Sequence, residues 1–203
     1  MKYTNKIIVV LACLGMAGSV IAANNAATLD REKCSLCHGV GGKTSSELFP
    51  QLASQPAPYL VEQLKAFRNK TRKDLNAQRF MWGVASRLSD KDIQDLASYY
   101  EKQTPAHRGE IEDKAAYQRG KEIFMKGNPK QNIPACMSCH GANGEGAGII
   151  PRLAGQHLAY LKRQLKVFKG DQRPSAGTTM HVIVKGLSMS DIKDIATYLS
   201  AQS

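Results

Sequence analysis

Cys34-Ser35-Leu36-Cys37-His38 returns 102 residues later as Cys136-Met137-Ser138-Cys139-His140. Sliding the chain on itself by that distance extends the match in both units. After a one-residue gap Pro50-Gln51-Leu52-Ala53 meets Pro151-Arg152-Leu153-Ala154, and Tyr59, Leu60, Gln63, Leu64 and Phe67 fall on Tyr160, Leu161, Gln164, Leu165 and Phe168. Two further deletions bring Met81, Leu88, Asp92, Ile93, Asp95, Ala97 and Tyr99 onto Met180, Leu187, Asp191, Ile192, Asp194, Ala196 and Tyr198. A whole unit is duplicated, and two copies make two domains rather than a solenoid. The segment from Gln103 to Asp113, with Thr104, Pro105, Gly109 and mixed charges, reads as the join. The expected division is a leader at 1–23, a first domain at 24–104, a linker at 105–115 and a second domain at 116–203.

Each unit reads as helical. Ser89-x-x-Asp92 and Ser188-x-x-Asp191 resemble capping boxes, with Asp in place of Glu or Gln. Behind them Ile93, Leu96, Ala97, Tyr100 and Ile192, Ile195, Ala196, Leu199 recur at the spacing of one apolar helix face. A second helix is expected after Pro58 and after Gln156, with Leu60, Leu64, Phe67 and Leu161, Leu165, Phe168 facing inwards. The opening helix is clearer in the second unit, at Tyr117 to Met125. Gly-rich stretches after each His, Gly39 to Ser46 and Gly141 to Gly148, read as loops. No strand-like alternation stands out, so the expected fold is all-α, two tandem helical domains.

Two thiols three residues apart sit on one turn of chain and can add to the two vinyl groups of one haem, leaving the adjacent His to reach the iron. A structural zinc site would need four ligands, so two pairs 102 residues apart would have to meet. A thioredoxin-like motif calls for a βαβ context that is missing. The reading is covalent haem c at Cys34 and Cys37 and again at Cys136 and Cys139, one haem per domain, with His38 and His140 on the metal. For the opposite iron face the first unit, once the leader is removed, holds only Met81. In the second, Met125, Met137, Met180 and Met189 compete, and the repeat selects Met180 because it alone answers Met81. His181 is the runner-up there, opposite Trp82. His107 and His157 read as surface residues. Histidine with methionine favours reduced iron and closes the site to substrate, which argues for electron transfer over oxygen or peroxide chemistry.

The ends and the charge set the surroundings. Lys2 and Lys6 precede an apolar run from Ile7 to Val20 that closes on Val20-Ile21-Ala22-Ala23, the pattern of a cleaved export signal. A lipoprotein site at Cys13 is the alternative, disfavoured by the apolar residues that follow it. Without Cys13 four cysteines remain, all in the two motifs, so no thiol is left for a disulfide. The formal charge is +11 and falls to +9 without the two leader lysines. Lys and Arg stand against Asp and Glu as 12 to 9 in residues 24–104 and 12 to 5 in 116–203, so the second half is the basic one and the expected docking face. Such a surface suits acidic partners or peripheral association with anionic membranes. Nucleic acid is not expected, because no binding-module signature is present.

On the two C-x-x-C-H sites, the Pro-x-Leu-Ala segments, Met81 and Met180, and the two Leu-Ser-x-x-Asp helix starts, the chain resembles the class I cytochromes c, and among them the dihaem cytochrome c4 group of bacterial periplasms. The resemblance covers essentially the whole length after the leader. It implies that Pro50 and Pro151 accept hydrogen bonds from His38 and His140, and that the domains are related by a pseudo-twofold axis with haems close enough to exchange electrons. It further implies a monomeric, non-catalytic electron carrier between a quinol-oxidising cytochrome bc complex and a terminal oxidase or other acceptor. The alternatives are a cytochrome subunit of a periplasmic dehydrogenase complex and, more remotely, a dihaem peroxidase. Departures from symmetry are expected in the distal loops. Lys70-Thr71-Arg72-Lys73 stands before Met81, Gly170-Asp171-Gln172-Arg173-Pro174 before Met180, and Trp82 is replaced by His181.

Overall fold

The computed structural model describes residues 25–106, 109–170, 173 and 180–203. The leader with Cys13, and also His107, Asp171, Gln172 and Pro174, lie outside the described residues. Within them the chain is helical and forms no strand, only the isolated bridges Asn128 to Ile133 and Ala147 to Ile150. No described helix is long and apolar enough to cross a membrane.

The first unit opens with helical residues 25–38, in which a π-turn, Asp30–Cys34, passes into α1, Ser35–His38. Then come α2 (Ala57–Arg68), a π-turn at Ala77–Met81 that runs into α3 (Trp82–Ala85), and α4 (Asp90–Glu101). The second unit repeats the plan with α5 (Lys114–Lys126), α6 (Met137–His140), α7 (Leu158–Lys169), α8 (Met180–Ile183) and α9 (Met189–Ser200). Local chemistry explains the boundaries. Pro58 sits in the first turn of α2, where its missing N–H has no intrahelical partner to lose. Asp113 caps α5 by accepting from the Ala116 N–H. Both terminal helices begin with a complete capping box, Ser89 with Asp92 and Ser188 with Asp191. The aspartate works at the third position because its carboxylate reaches the Ser N–H, at 3.0 Å in the first unit and 2.8 Å in the second.

Each unit has its own core. In the first, Leu60 and Val61 of α2 meet Ile93, Leu96, Ala97 and Tyr100 of α4. In the second, Phe124 of α5, Leu161 of α7, Val184 and Leu187 surround Ile192, Ile195, Tyr198 and Leu199 of α9. Leu64 and Leu165 are only half-buried but pack on these clusters. α5 crosses α9 at Gly120, where a Cβ would fall on the carbonyl oxygen of Asp194. The missing Cβ permits this close approach, and Arg119, next in sequence, grips the buried Asp194 carboxylate at 2.6 and 3.0 Å.

The two units meet across a pseudo-twofold interface of paired polar groups. Gln156 of the second unit accepts from the Gln51 N–H at 2.8 Å and donates to the Gln51 carbonyl at 3.0 Å. Its counterpart Gln55 accepts from the Arg152 N–H at 3.1 Å and donates to the Arg152 carbonyl at 2.8 Å. Beside this double clamp lie two buried guanidinium groups. Arg72 donates to Gln63 and Gln164, and Arg173 donates to Gln164, Gln63 and the Tyr59 hydroxyl. Each arginine also stacks 4.7 Å from the ring of a phenylalanine of its own unit, Phe67 and Phe168. The distal loops differ in sequence, yet they place these two arginines alike. His157 is not a surface residue: it is the N-cap of α7, its ring at 2.9 Å from the Thr44 carbonyl and 3.0 Å from the Gln51 amide across the interface.

Gly120→Ala is expected to lower the unfolding free energy by about 1–3 kcal/mol, the usual cost of forcing atoms into a filled space. Gly83→Ala in α3, where a Cβ meets nothing within 4 Å, is expected to be neutral or stabilising by up to about 1 kcal/mol. Denaturant unfolding followed by circular dichroism checks both.

Candidate haem sites

The cysteines of each motif lie one helical turn apart, at the end of the π-turn and inside α1 in the first unit, and at the entry to and inside α6 in the second. All four are free. Burial raises the Cys34 thiol above its ordinary range and pushes that of Cys136 up to about 11. An uncharged thioether is therefore better suited to these positions than a thiolate.

The histidines that follow are 7% and 6% exposed. His38 Nδ1 lies 3.0 Å from the Pro50 carbonyl oxygen, and His140 Nδ1 lies 3.0 Å from that of Pro151. A carbonyl can only accept, so Nδ1 carries the proton in both rings and Nε2 keeps its lone pair. Desolvation lowers both imidazoles below the usual histidine range, which keeps the rings neutral at pH 7. Each ring is thus prepared to give Nε2 to a metal, and among the described residues no hydrogen bond reaches that atom. The chain turns away directly after each ring, at Gly39 (φ 70°) and Gly141 (φ 84°).

The first motif is anchored from beneath by Asp30, which is fully buried. Its carboxylate accepts from the Tyr100 hydroxyl at 2.8 Å and the Gly41 N–H at 2.9 Å, with the Tyr99 hydroxyl at 3.3 Å. One buried carboxylate therefore ties the helix before Cys34 to the loop after His38 and to α4.

Met81 closes the second π-turn and is half-buried against Phe67, Ala77 and Ala85. The aromatic contacts His38 to Phe49 at 5.8 Å and Phe49 to Phe80 at 5.3 Å bring the segment carrying Met81 to the His38 side. Met180 heads α8 and packs on the same cluster as Cys136. Neither methionine stands in a wholly irregular stretch, since each adjoins a short helix. Of the other candidates, Met125 is 40% and Met189 is 56% exposed, and Met137 is packed on the core within the motif itself. His181 is half-buried beside Met180. Trp82 donates its indole N–H to the Arg72 carbonyl at 2.9 Å, which ties the Met81 turn to the interface.

The donor chemistry suits haem c, with paired thiols on one turn, a neutral imidazole with one free nitrogen, and a thioether on a separate segment. Haem also carries two carboxylates. Among the described residues the buried Arg152 Nη2 and Arg163 Nε have no hydrogen-bond partner, and no carboxylate pairs with the buried Arg173. These guanidinium groups are positive and suit the negative charge of such carboxylates. Among the described residues no three His, Cys, Asp or Glu side chains gather where one metal ion could be held.

The fold and its two sites define a c-type cytochrome with two covalent attachment points. The family model for cytochrome c matches residues 22–103 and again 117–203. Cytochrome c-552 of Acidithiobacillus ferridurans is 38% identical over 194 residues, covering 94% of this chain and 84% of that protein. Cytochrome c4 of Stutzerimonas stutzeri is 34% identical over 215 residues, covering 96% and 98%. The thiosulfate dehydrogenase electron acceptor of Thiomonas intermedia is 32% identical over 181 residues, covering 87% and 82%. Among solved structures, Acidithiobacillus ferrooxidans cytochrome c4 superposes with a TM-score of 0.77 at 41% identity, over 83% of this chain and 98% of that one. The chain belongs to the cytochrome c family and, within it, to the dihaem cytochrome c4 group. It is an electron carrier with two tandem cytochrome c domains and two covalently bound haem c groups, one in each.

The polar residues of the interface are the part of the site that sequence reading passed over. Gln63 and Gln164 served only as markers of the repeat, Gln156 only as the residue before a helix, and Gln55 stood unremarked. The available signal was a glutamine at the same place in both units on otherwise exposed surface.

Asp30→Ala leaves the buried Tyr100 hydroxyl and Gly41 N–H without an acceptor and is expected to cost about 2–4 kcal/mol. Tyr100→Phe, which removes one donor only, is expected to cost about 1 kcal/mol. Urea unfolding monitored at the haem bands should show the first domain lost ahead of the second in Asp30→Ala.

Proposed function

We propose that this dihaem cytochrome moves single electrons in the periplasm from a quinol-oxidising cytochrome bc complex to a terminal oxidase or other acceptor. In this reading the chain is exported by cleavage of the leader at 1–23. Residues 24–104 and 116–203 are the domains, joined by 105–115, and the protein acts as a carrier without catalysis of its own. Cys34 and Cys37 hold one haem and Cys136 and Cys139 the other, His38 with Met81 and His140 with Met180 are the axial ligands, and Pro50 and Pro151 orient the histidines. The supporting observation is that both histidines commit Nδ1–H to a proline carbonyl and keep one nitrogen free, alike in two pockets that each have a methionine segment beside them.

Haem c, when bound, supplies an iron that passes between ferrous and ferric states. What the chain contributes is mostly rigidity. The proline carbonyls set imidazole orientation and basicity, which are levers on potential. Cys34 with Cys37, and Cys136 with Cys139, would each hold a haem on a single helical turn, and His38 with Met81 and His140 with Met180 would bind the iron so that no position is left for substrate. The basic second domain supplies a long-range attraction to acidic redox partners that weakens as salt is added.

A second reading, the electron-accepting subunit of a dehydrogenase complex, is favoured by the thiosulfate dehydrogenase electron acceptor among the relatives. Co-purification with a larger enzyme that reduces this cytochrome at a rate exceeding that of the bc complex would select it.

A spectroelectrochemical titration of the purified protein tests the ligand assignment. The oxidised form is expected to show the weak long-wavelength band of methionine on ferric iron at both sites. Met81→Ala and Met180→Ala should each remove half of it and lower one of the two potentials. Cys34→Ala with Cys37→Ala should halve the covalent haem content, as should Cys136→Ala with Cys139→Ala. Fast peroxide turnover by the wild-type protein would instead show that one distal position opens, the peroxidase alternative.

A further inference from the structure

The peptide unit between Pro50 and Gln51 is bonded at both ends. Its carbonyl accepts from His38 Nδ1–H at 3.0 Å, and its N–H donates to Gln156 Oε1 of the other domain at 2.8 Å. The peptide unit between Pro151 and Arg152 is bonded in the same way, to His140 at 3.0 Å and to Gln55 Oε1 at 3.1 Å. In each case the second amide atom of the glutamine donates to the next carbonyl, that of Gln51 or Arg152, so the clamp grips two points and fixes the peptide plane. Gln51 is 8%, Gln55 5% and Gln156 4% exposed, so these bonds face little competition from water. The symmetry is broken at one atom: Gln156 Oε1 also accepts from the His157 N–H at 3.1 Å, whereas Pro56, at the equivalent place, has no N–H.

A peptide unit conducts polarisation because its nitrogen lone pair is delocalised onto oxygen. An acceptor placed on the N–H draws density toward the carbonyl oxygen, and chains of hydrogen bonds strengthen one another in this way. A more negative carbonyl takes a larger share of the imidazole proton and makes the histidine a stronger donor to iron. A stronger donor stabilises the ferric state and lowers the potential. We propose that Gln156 and Gln55 are positioning residues for the iron ligands of the opposite domain, each acting through one shared peptide unit to set the proximal histidine, so that either domain tunes the other's haem. The proposal rests on the reading of His38 and His140 as axial ligands.

The test replaces each glutamine by leucine, which keeps the volume and removes both hydrogen bonds, in the full-length dihaem protein. Potentials are read by spectroelectrochemistry, the two waves being assigned by the one that Met81→Ala or Met180→Ala displaces. Gln156→Leu is expected to raise the potential of the first domain's haem, shifting its one-electron equilibrium about threefold, or ~28 mV at 59 mV per tenfold. The second domain's haem should move much less. Gln55→Leu should do the converse. Glutamate at either position keeps a stronger acceptor and should move the same haem downward, which covers the case in which a leucine variant does not fold. Potentials that shift together, that shift in the variant's own domain, or that do not shift while both haems and both methionine bands are intact would overturn the proposal. His38→Ala with an unchanged first-haem spectrum, or His140→Ala with an unchanged second-haem spectrum, would instead overturn the ligand assignment on which it rests.

Discussion

A buried imidazole whose Nδ1–H is held by a proline carbonyl is the constraint from which the rest of this molecule follows. The ring must be neutral, oriented and free at Nε2, and burial would leave its other nitrogen costly to satisfy without a fixed acceptor. Proline holds the backbone of that acceptor in place. The peptide that supplies the carbonyl then presents its N–H away from the ring, and in both domains that N–H is met by a glutamine from the other domain. The need to satisfy one peptide unit at both ends thereby joins each motif histidine to the domain interface.

The interface itself is polar and specific rather than oily. Two guanidinium groups, 6% and 5% exposed, share two glutamines, and Arg72 also pairs with Asp74 at 2.8 Å. Burying such groups adds little net stability, because desolvation offsets most of the attraction. It does penalise wrong registers steeply, since any displacement of one domain leaves cations and amides unpaired. The interface between domains of one chain is ordinarily permissive of motion. Here the double amide clamp and the stacked arginines favour one arrangement.

The two halves are close copies that differ where it matters electrostatically. Gln51 answers Arg152, Pro56 answers His157 and Trp82 answers His181. A guanidinium beside the second histidine's peptide adds positive charge at a place where the first domain has a neutral amide. The indole of Trp82 ties the first methionine turn to the Arg72 carbonyl, while the imidazole of His181 stands at the corresponding point of the second. Two near-identical folds thereby give their motif histidines distinct electrostatic surroundings.

Much was legible in the chain alone, because its signals are local or strictly periodic. The C-x-x-C-H spacing lies within one helical turn, the Ser-x-x-Asp boxes are closed by neighbours in sequence, and the apolar faces of α4 and α9 repeat at helical spacing. Duplication supplied what a single unit lacks, the register that gives each helix and loop of the first domain its counterpart in the second. The interface was not legible. Gln55, Gln63, Arg72 and their counterparts are polar residues whose pattern is the same whether they face water or another domain, and His157 was misread as a surface residue for that reason. Their partners across the interface lie about a hundred residues away, at separations such as 105 for Gln51 with Gln156. Only the docking of two finished cores decides which of these groups meet, because hydrogen bonds depend on position to within tenths of an ångström while sequence periodicity records no more than which face is apolar.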